Sequence, residues 1–341
     1  MAREAIVSPA AWVGPQIQND DSWIMRLDEA EVAEVDAALS GLKAKGKSIP
    51  FGKEDFPLPN LAARIVDEIP DRLENGLGFV LVRGLSRDRY SDKDCELVYW
   101  GLASHLGRPV SQNRRGHVLG HVRDEGKSLA DPTVRPYQTK RRMDFHADLL
   151  PVEILGLFCC RTAKRGGESY IVSALTVHNI MAKERPDLLE VLYQPFNLDW
   201  RGEEPEGTQP WHTCPMFSVQ DGKFTSCISG RVFFESVTRW GEHLALTDIQ
   251  REALDFAQDV AERPELRLSM MFQEGDIQLL NNQTMLHARS EYEDYDEPDL
   301  KRHLLRMWIS RPEGQRRSLS PALDDRRRIV EMGGIPTKEA A

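Results

Sequence analysis

The chain has 341 residues, 40% of them hydrophobic and 29% charged, and a formal net charge of −10. That balance is ordinary for a folded globular protein, and its acidic sign argues against a nucleic-acid binder, which needs a basic face. No run approaches the ~20 consecutive apolar residues of a membrane span, and Met1-Ala2-Arg3-Glu4 opens no apolar leader, so the expected location is the cytoplasm.

Five cysteines (Cys95, Cys159, Cys160, Cys214, Cys227) contain no CxxC pair. An odd number without a leader reads as free thiols in a reducing compartment. Basic clusters are local, at Lys140–Arg142 and Arg326–Arg328, and the second reads as solvated surface.

In chain order, Asp28 with Glu31 forms a capping box, and Val32, Val35, Leu39 and Leu42 follow at helical spacing. A second helix is expected over Leu61–Leu73. Gly78 to Gly84 encloses a short apolar run that reads as a buried strand. Ser91 caps a third helix to about Leu106, and 107–142 reads as loops and short strands. Ile154–Cys160 is continuous and apolar, as a central strand is. Gly166-Gly167 marks a turn before a strand at Tyr170–Val172, and Leu175–Leu192 reads as helix broken at Pro186.

Asp221-Gly222 between Phe217–Gln220 and Lys223–Ser226 is a hairpin signal, because both residues tolerate positive φ. Thr247 with Gln250 opens another helix. Ile277–Leu280 and His303–Ile309 read as late strands. Strands dominate the middle and end, which predicts a mainly β sandwich or jelly roll decorated with helices. The expected division is a helical region over 1–75 packed on a core domain over 76–312. An insertion lies at about 196–246, and a surface tail runs over 313–341.

The chemistry concentrates around Asp144-Phe145-His146-Ala147-Asp148. Among the nine histidines only His146 has an acid two residues later. In extended backbone i and i+2 face one side, so this imidazole and carboxylate can converge on one metal ion. His287, after a predicted strand, is the best candidate for a third ligand. Two histidines and one carboxylate leave three positions open on an octahedral metal, the facial triad of Fe(II) oxygenases. Arg302 and Arg306 lie on one side of the last strand, roughly 13 Å apart, which suits two separate anionic groups better than one.

With these residues in hand, the chain resembles the taurine dioxygenase/2,4-dichlorophenoxyacetate dioxygenase family, with clavaminate synthase nearby. The resemblance runs from about Gly78 to Arg311. It rests on the run from Gly78 to Gly84, on His146-Ala147-Asp148, and on Gly166-Gly167-Glu168-Ser169. Asn282–His287 and Arg302–Arg306 complete the set. It implies a double-stranded β-helix (jelly roll) that holds Fe(II) on His146, Asp148 and His287. It also implies 2-oxoglutarate and O₂ as co-substrates, with succinate and CO₂ released. Ser169 and Arg302 would then hold the far carboxylate of 2-oxoglutarate, and Arg306 a substrate anion or the site itself. Serine stands where many members have threonine. Asp148 fills the position that halogenating relatives leave free for halide, so no halogenation is expected.

The expected partner is a small anionic or amino-acid-like substrate. Homo-oligomers, dimers or tetramers, are frequent in the family. Desaturation, cyclisation or epimerisation differ from hydroxylation in substrate placement, not in ligands, and stay open. A metal-binding jelly roll without turnover and a zinc hydrolase are the competing classes. Other residues read as structural. His117 and His121 sit among glycines and read as loop histidines, and His178 and His303 as packing. Gln112 and Asn113 read as loop hydrogen bonding, and Trp200, Trp211 and Phe217 as core or hairpin packing or part of a lid.

Overall fold

Alternation along the last strand sets the architecture. The computed structural model describes residues 3–128 and 134–337, so the leader reading at Met1 and Ala2 lies outside the described residues. All eight positions of the strand His303–Ser310 are buried. Leu304 and Trp308 belong to one hydrophobic cluster, Leu305, Met307 and Ile309 to another. A strand buried on both faces must have a layer on each side.

Eleven strands build those layers. They are β1 (Ile24–Arg26), β2 (Phe79–Arg83), β3 (Arg108–Val110), β4 (Leu119–Val122), β5 (Met143–His146) and β6 (Ile154–Arg161). Then come β7 (Ser169–Ser173), β8 (Leu268–Met270), β9 (Ile277–Asn281), β10 (Met285–Arg289) and β11 (His303–Ser310). The larger sheet runs β1-β2-β9-β6-β11-β3, with β4 also paired to β11. The smaller runs β8-β7-β10-β5. Both sheets are open at their edges and do not close into a barrel. Between them lies the cluster that holds Leu155, Cys159, Ile171, Leu280 and Trp308. The other face of the larger sheet is covered by helices.

Those helices form where the caps place them. Helix α1 (Glu29–Ala44) has both bonds of the Asp28–Glu31 box, at 2.8 and 3.0 Å. Ser91 caps α2 (Asp92–Leu106). Leu61–Glu74 is helical, with one wide turn at Arg64–Glu68, and buries Leu61, Ile65, Ile69 and Leu73 at a spacing of four. Helices α3 (Ala174–Glu184) and α4 (Pro186–Leu192) are divided at Pro186, and α5 (Asp248–Ala261) follows Thr247. The hairpin turn has φ of 49° at Asp221 and 72° at Gly222.

The tail differs from expectation. Helix α6 (Asp324–Glu331) and its flanks bury Leu323, Ile329, Val330 and Ile335 in the larger hydrophobic cluster, with the turn before the helix packed on the strand Trp211–Pro215. Arg326 is 2% exposed, and its Nε donates to Nε2 of His212 at 2.9 Å. The local composition is basic, yet the periodic apolar positions of one short helix decide where it packs. His121 also departs from its reading: it lies in β4, its ring stacked on His303 at 5.1 Å. All five cysteines are buried free thiols.

Candidate active site

The smaller sheet brings the two histidines together by register. His287 on β10 is the direct partner of His146 on β5. Opposed residues on neighbouring strands face the same side, and here the ring centroids are 4.2 Å apart. Asp148 lies just beyond the end of β5. The turn between β9 and β10 fixes it: Asn282 Oδ1 accepts from the Asp148 backbone N–H at 2.9 Å, and Asn282 Nδ2 donates to the Leu150 carbonyl at 2.9 Å. Oδ1 of Asp148 then stands 3.7 Å from His146 Nε2 and 3.9 Å from His287 Nε2. Among the described residues these three form the one group whose ligand atoms all lie within 4.8 Å of each other.

The donor set fits a divalent metal. Nδ1 of His146 lies 2.8 Å from the Asp144 carbonyl, which only accepts, so Nδ1 is the donor and Nε2 is the nitrogen turned to Asp148. Burial first, then His146, pushes His287 down to about 3, so its imidazole is neutral. Burial alone would raise the Asp148 carboxyl. Arg306 first, then the two imidazoles and the Trp308 indole, outweigh it and hold Asp148 below the usual carboxylate range. The site therefore sets a carboxylate against two imidazoles, the donor set of a facial triad.

The larger sheet supplies the facing wall. Arg306 Nη1 is 3.1 Å from Asp148 Oδ2, and its Nε donates to Gln112 Oε1 at 2.7 Å. Trp308 Nε1 donates to the same Oδ2. Arg306 thus stands at the triad, between the rings of Tyr137 and Trp308. Gln112 is buried and braces it, a role beyond loop hydrogen bonding, whereas Asn113 serves its own loop, accepting from Arg115 N at 3.0 Å.

Ser169 and Arg302 lie elsewhere, at a second locus. Ser169 Oγ accepts from Gln278 Nε2 at 3.2 Å, which leaves its hydroxyl hydrogen free to donate. Arg302 is 4% exposed; its Nη1 is buried without a hydrogen-bond partner, and burial lowers its pKa. An idle donor on a buried guanidinium is the feature a bound carboxylate would satisfy. On β7, Ser169 is two residues from Ile171, the register partner of His287, so the locus is about 7 Å along the strand from the triad. That is the reach of a five-carbon diacid gripping the metal at one end.

A cavity of about 260 Å³ opens in front of the triad, lined by Gln112, Tyr137, Met143, Arg306 and Trp308 and by residues no motif marked: Arg135, Glu203 and Gly230–Phe233. Glu203 and 230–233 come from the expected insertion, so that segment walls the pocket. Its aromatics Trp200 and Phe217 are buried: Trp200 stacks on His212 at 3.7 Å and Phe217 packs on Phe224 at 5.1 Å. Spacing could not reveal Arg135 or Glu203, because each lies in a loop outside any motif and the two are far apart in the chain.

Residues 39–308 match the family described as Taurine catabolism dioxygenase TauD, TfdA family. The chain belongs to this family. It is a 2-oxoglutarate-dependent non-haem iron dioxygenase. The dioxygenase is 30% identical to FR-33289 synthase of Streptomyces rubellomurinus, over 92% of each chain. It is 32% identical to the taurine hydroxylase-like protein SAT17 of Stachybotrys chartarum, over 87% of this chain and 77% of that one. In three dimensions it resembles asparagine oxygenase solved with Fe(II), 3-hydroxyasparagine and succinate, at a TM-score of 0.64 and 14% identity, covering 88% of this chain and 98% of that one. That likeness shows a shared fold of the clavaminate synthase kind. No helix among the described residues is long and apolar enough to cross a membrane.

Proposed function

We propose that the dioxygenase hydroxylates a C–H bond of a small amino-acid-like or anionic molecule. In this reading His146, Asp148 and His287 hold Fe(II), and Ser169 and Arg302 hold the far carboxylate of 2-oxoglutarate. The observation that carries it is a three-ligand cluster in the same fold as a buried arginine, Arg302, whose Nη1 has no partner. The chemistry that iron, 2-oxoglutarate and O₂ supply when bound is oxidation of a C–H bond, coupled to conversion of 2-oxoglutarate to succinate and CO₂.

The chain's own work is positioning and exclusion of water. Arg306 and Trp308 turn Asp148 so that Oδ1 faces the imidazoles. Phe233, Val232 and Met143 make part of the cavity wall apolar. Arg135 supports the substrate class. Its Nη2 pairs with Glu203 at 2.7 Å while its Nη1 is buried without a partner. An acidic group on the substrate would satisfy Nη1, and an ammonium group would sit against Glu203. Taurine, which names the family, and the hydroxyasparagine of the structural relative both carry an amine and an acid. Arg306 is the second cation available to a substrate anion.

Succinate release, followed across a panel of amino acids, sulfonates and aryloxy acids, tests the proposal. One class should stimulate it, and His146→Ala, Asp148→Ala and His287→Ala should abolish it. Undiminished turnover in those variants would reject the triad. The same reading keeps the division into 1–75, 76–312 and 313–341, a cytoplasmic location in line with five free thiols, and a homo-oligomer, which light scattering would test.

A further inference from the structure

We infer that Arg289 is a second cation for the far carboxylate of 2-oxoglutarate, acting opposite Ser169 and beside Arg302. This rests on the assignment of Ser169 and Arg302 above, and extends that locus to a residue no motif marked.

Register places Arg289. It is two residues past His287 on β10, so both side chains face the inter-sheet space. Its direct partner on β7 is Ser169, so their Cβ atoms are about 5 Å apart on one face. Arg289 is 5% exposed. Its Nη2 donates to the carbonyls of Thr139 and Arg141, at 2.8 and 2.5 Å. Its Nε and Nη1 are buried and have no partner, and the same holds for Nη1 of Arg302.

The two guanidiniums share one ring. Arg289 lies 4.7 Å from the centroid of Tyr292, and Arg302 lies 5.1 Å from it. Among the described residues neither makes an ion pair with a carboxylate. Asp294 accepts from the backbone N–H of Arg302, at 2.7 Å, not from its guanidinium. Two buried cations with three idle donor atoms and no carboxylate in contact with either guanidinium are costly to fold around. A carboxylate has about four lone-pair sites. One carboxylate can accept from Arg302 and from the Ser169 hydroxyl, and still has capacity for Nε or Nη1 of Arg289. The competing role is mechanical: through Nη2 the same arginine clamps 139–141, next to the pocket residues Arg142 and Met143.

Binding separates the two roles without turnover. The anaerobic Fe(II) enzyme is titrated calorimetrically with 2-oxoglutarate and with 2-oxopentanoate, a keto acid of equal length that lacks the far carboxylate. Arg289→Met should weaken 2-oxoglutarate by about tenfold or more while leaving 2-oxopentanoate unchanged. Arg289→Lys, which keeps the charge if the methionine variant does not fold, should weaken 2-oxoglutarate alone by a smaller factor. Equal loss for both acids, or none for either, overturns the inference. Arg302→Met is the control. If it removes the preference for 2-oxoglutarate and Arg289→Met does not, this inference alone falls; if it leaves the preference intact, the assignment of the whole locus falls.

Discussion

The indole of Trp308 donates to Oδ2 of Asp148, and so leaves Oδ1 as the oxygen that faces both imidazoles. Outer partners of this kind set the orientation of a metal-bound carboxylate. Trp308→Phe keeps the ring but loses the donor. Metal affinity should fall by about 10–100-fold, measured by titrating the apo-protein with Co(II), while the fold is retained. Wild-type affinity in the variant would show that Arg306 alone orients the carboxylate.

Gly167 tests the co-substrate locus from outside. Its φ is +76°, and an added Cβ would come 3.2 Å from Nε of Arg302. Gly167→Ala therefore strains the turn and presses on the arginine at once. The expected result is a KM for 2-oxoglutarate raised by several-fold, with the KM for the organic substrate little changed. Equal effects on both would place Arg302 away from the co-substrate.

Acid sensitivity should come partly from His303. Burial first, then His121, pushes its imidazole down to about 4 from the ordinary 6.5. The His121 Nδ1 and His303 Nε2 atoms are 2.9 Å apart, a pair that shares one hydrogen only while one of the nitrogens is unprotonated. Asp92, Arg161 and Arg123 act on the same ring. Below 6.5 the unfolded chain takes up a proton that the folded chain refuses, so stability falls as pH drops from 6.5 towards 4 and the loss is complete below that. His303→Gln should show a smaller drop in urea midpoint between neutral pH and the lower end of that window. A drop as large as in the wild type would assign the acid sensitivity to other groups.

Removing residues 319–341 should prevent folding. Leu323, Ile329, Val330 and Ile335 are buried there, and each such side chain contributes roughly 1.5–3 kcal/mol. Their sum approaches the roughly 5–15 kcal/mol by which a domain is stable. Soluble expression and a thermal transition are the readouts; a truncated protein that melts like the full chain would make the tail dispensable.

The sequence determined what depends on neighbours along the chain. The capping boxes at Asp28 and Thr247 and the cap at Ser91 announce their helices because a cap and its partner are three residues apart. The Asp221-Gly222 turn and the apolar run that became β11 are equally local. His146, Asp148 and His287 were named because their residue types and order match a pattern. Tertiary structure decided what depends on strand register and sheet facing. It set His146 against His287, sent Arg306 to Asp148 and away from Arg302, and put Arg289 beside Ser169. It walled the cavity with Arg135 and Glu203 and drew Arg326 inside. Those contacts join residues far apart in the chain, and a charged side chain carries no local mark of the partner it will meet.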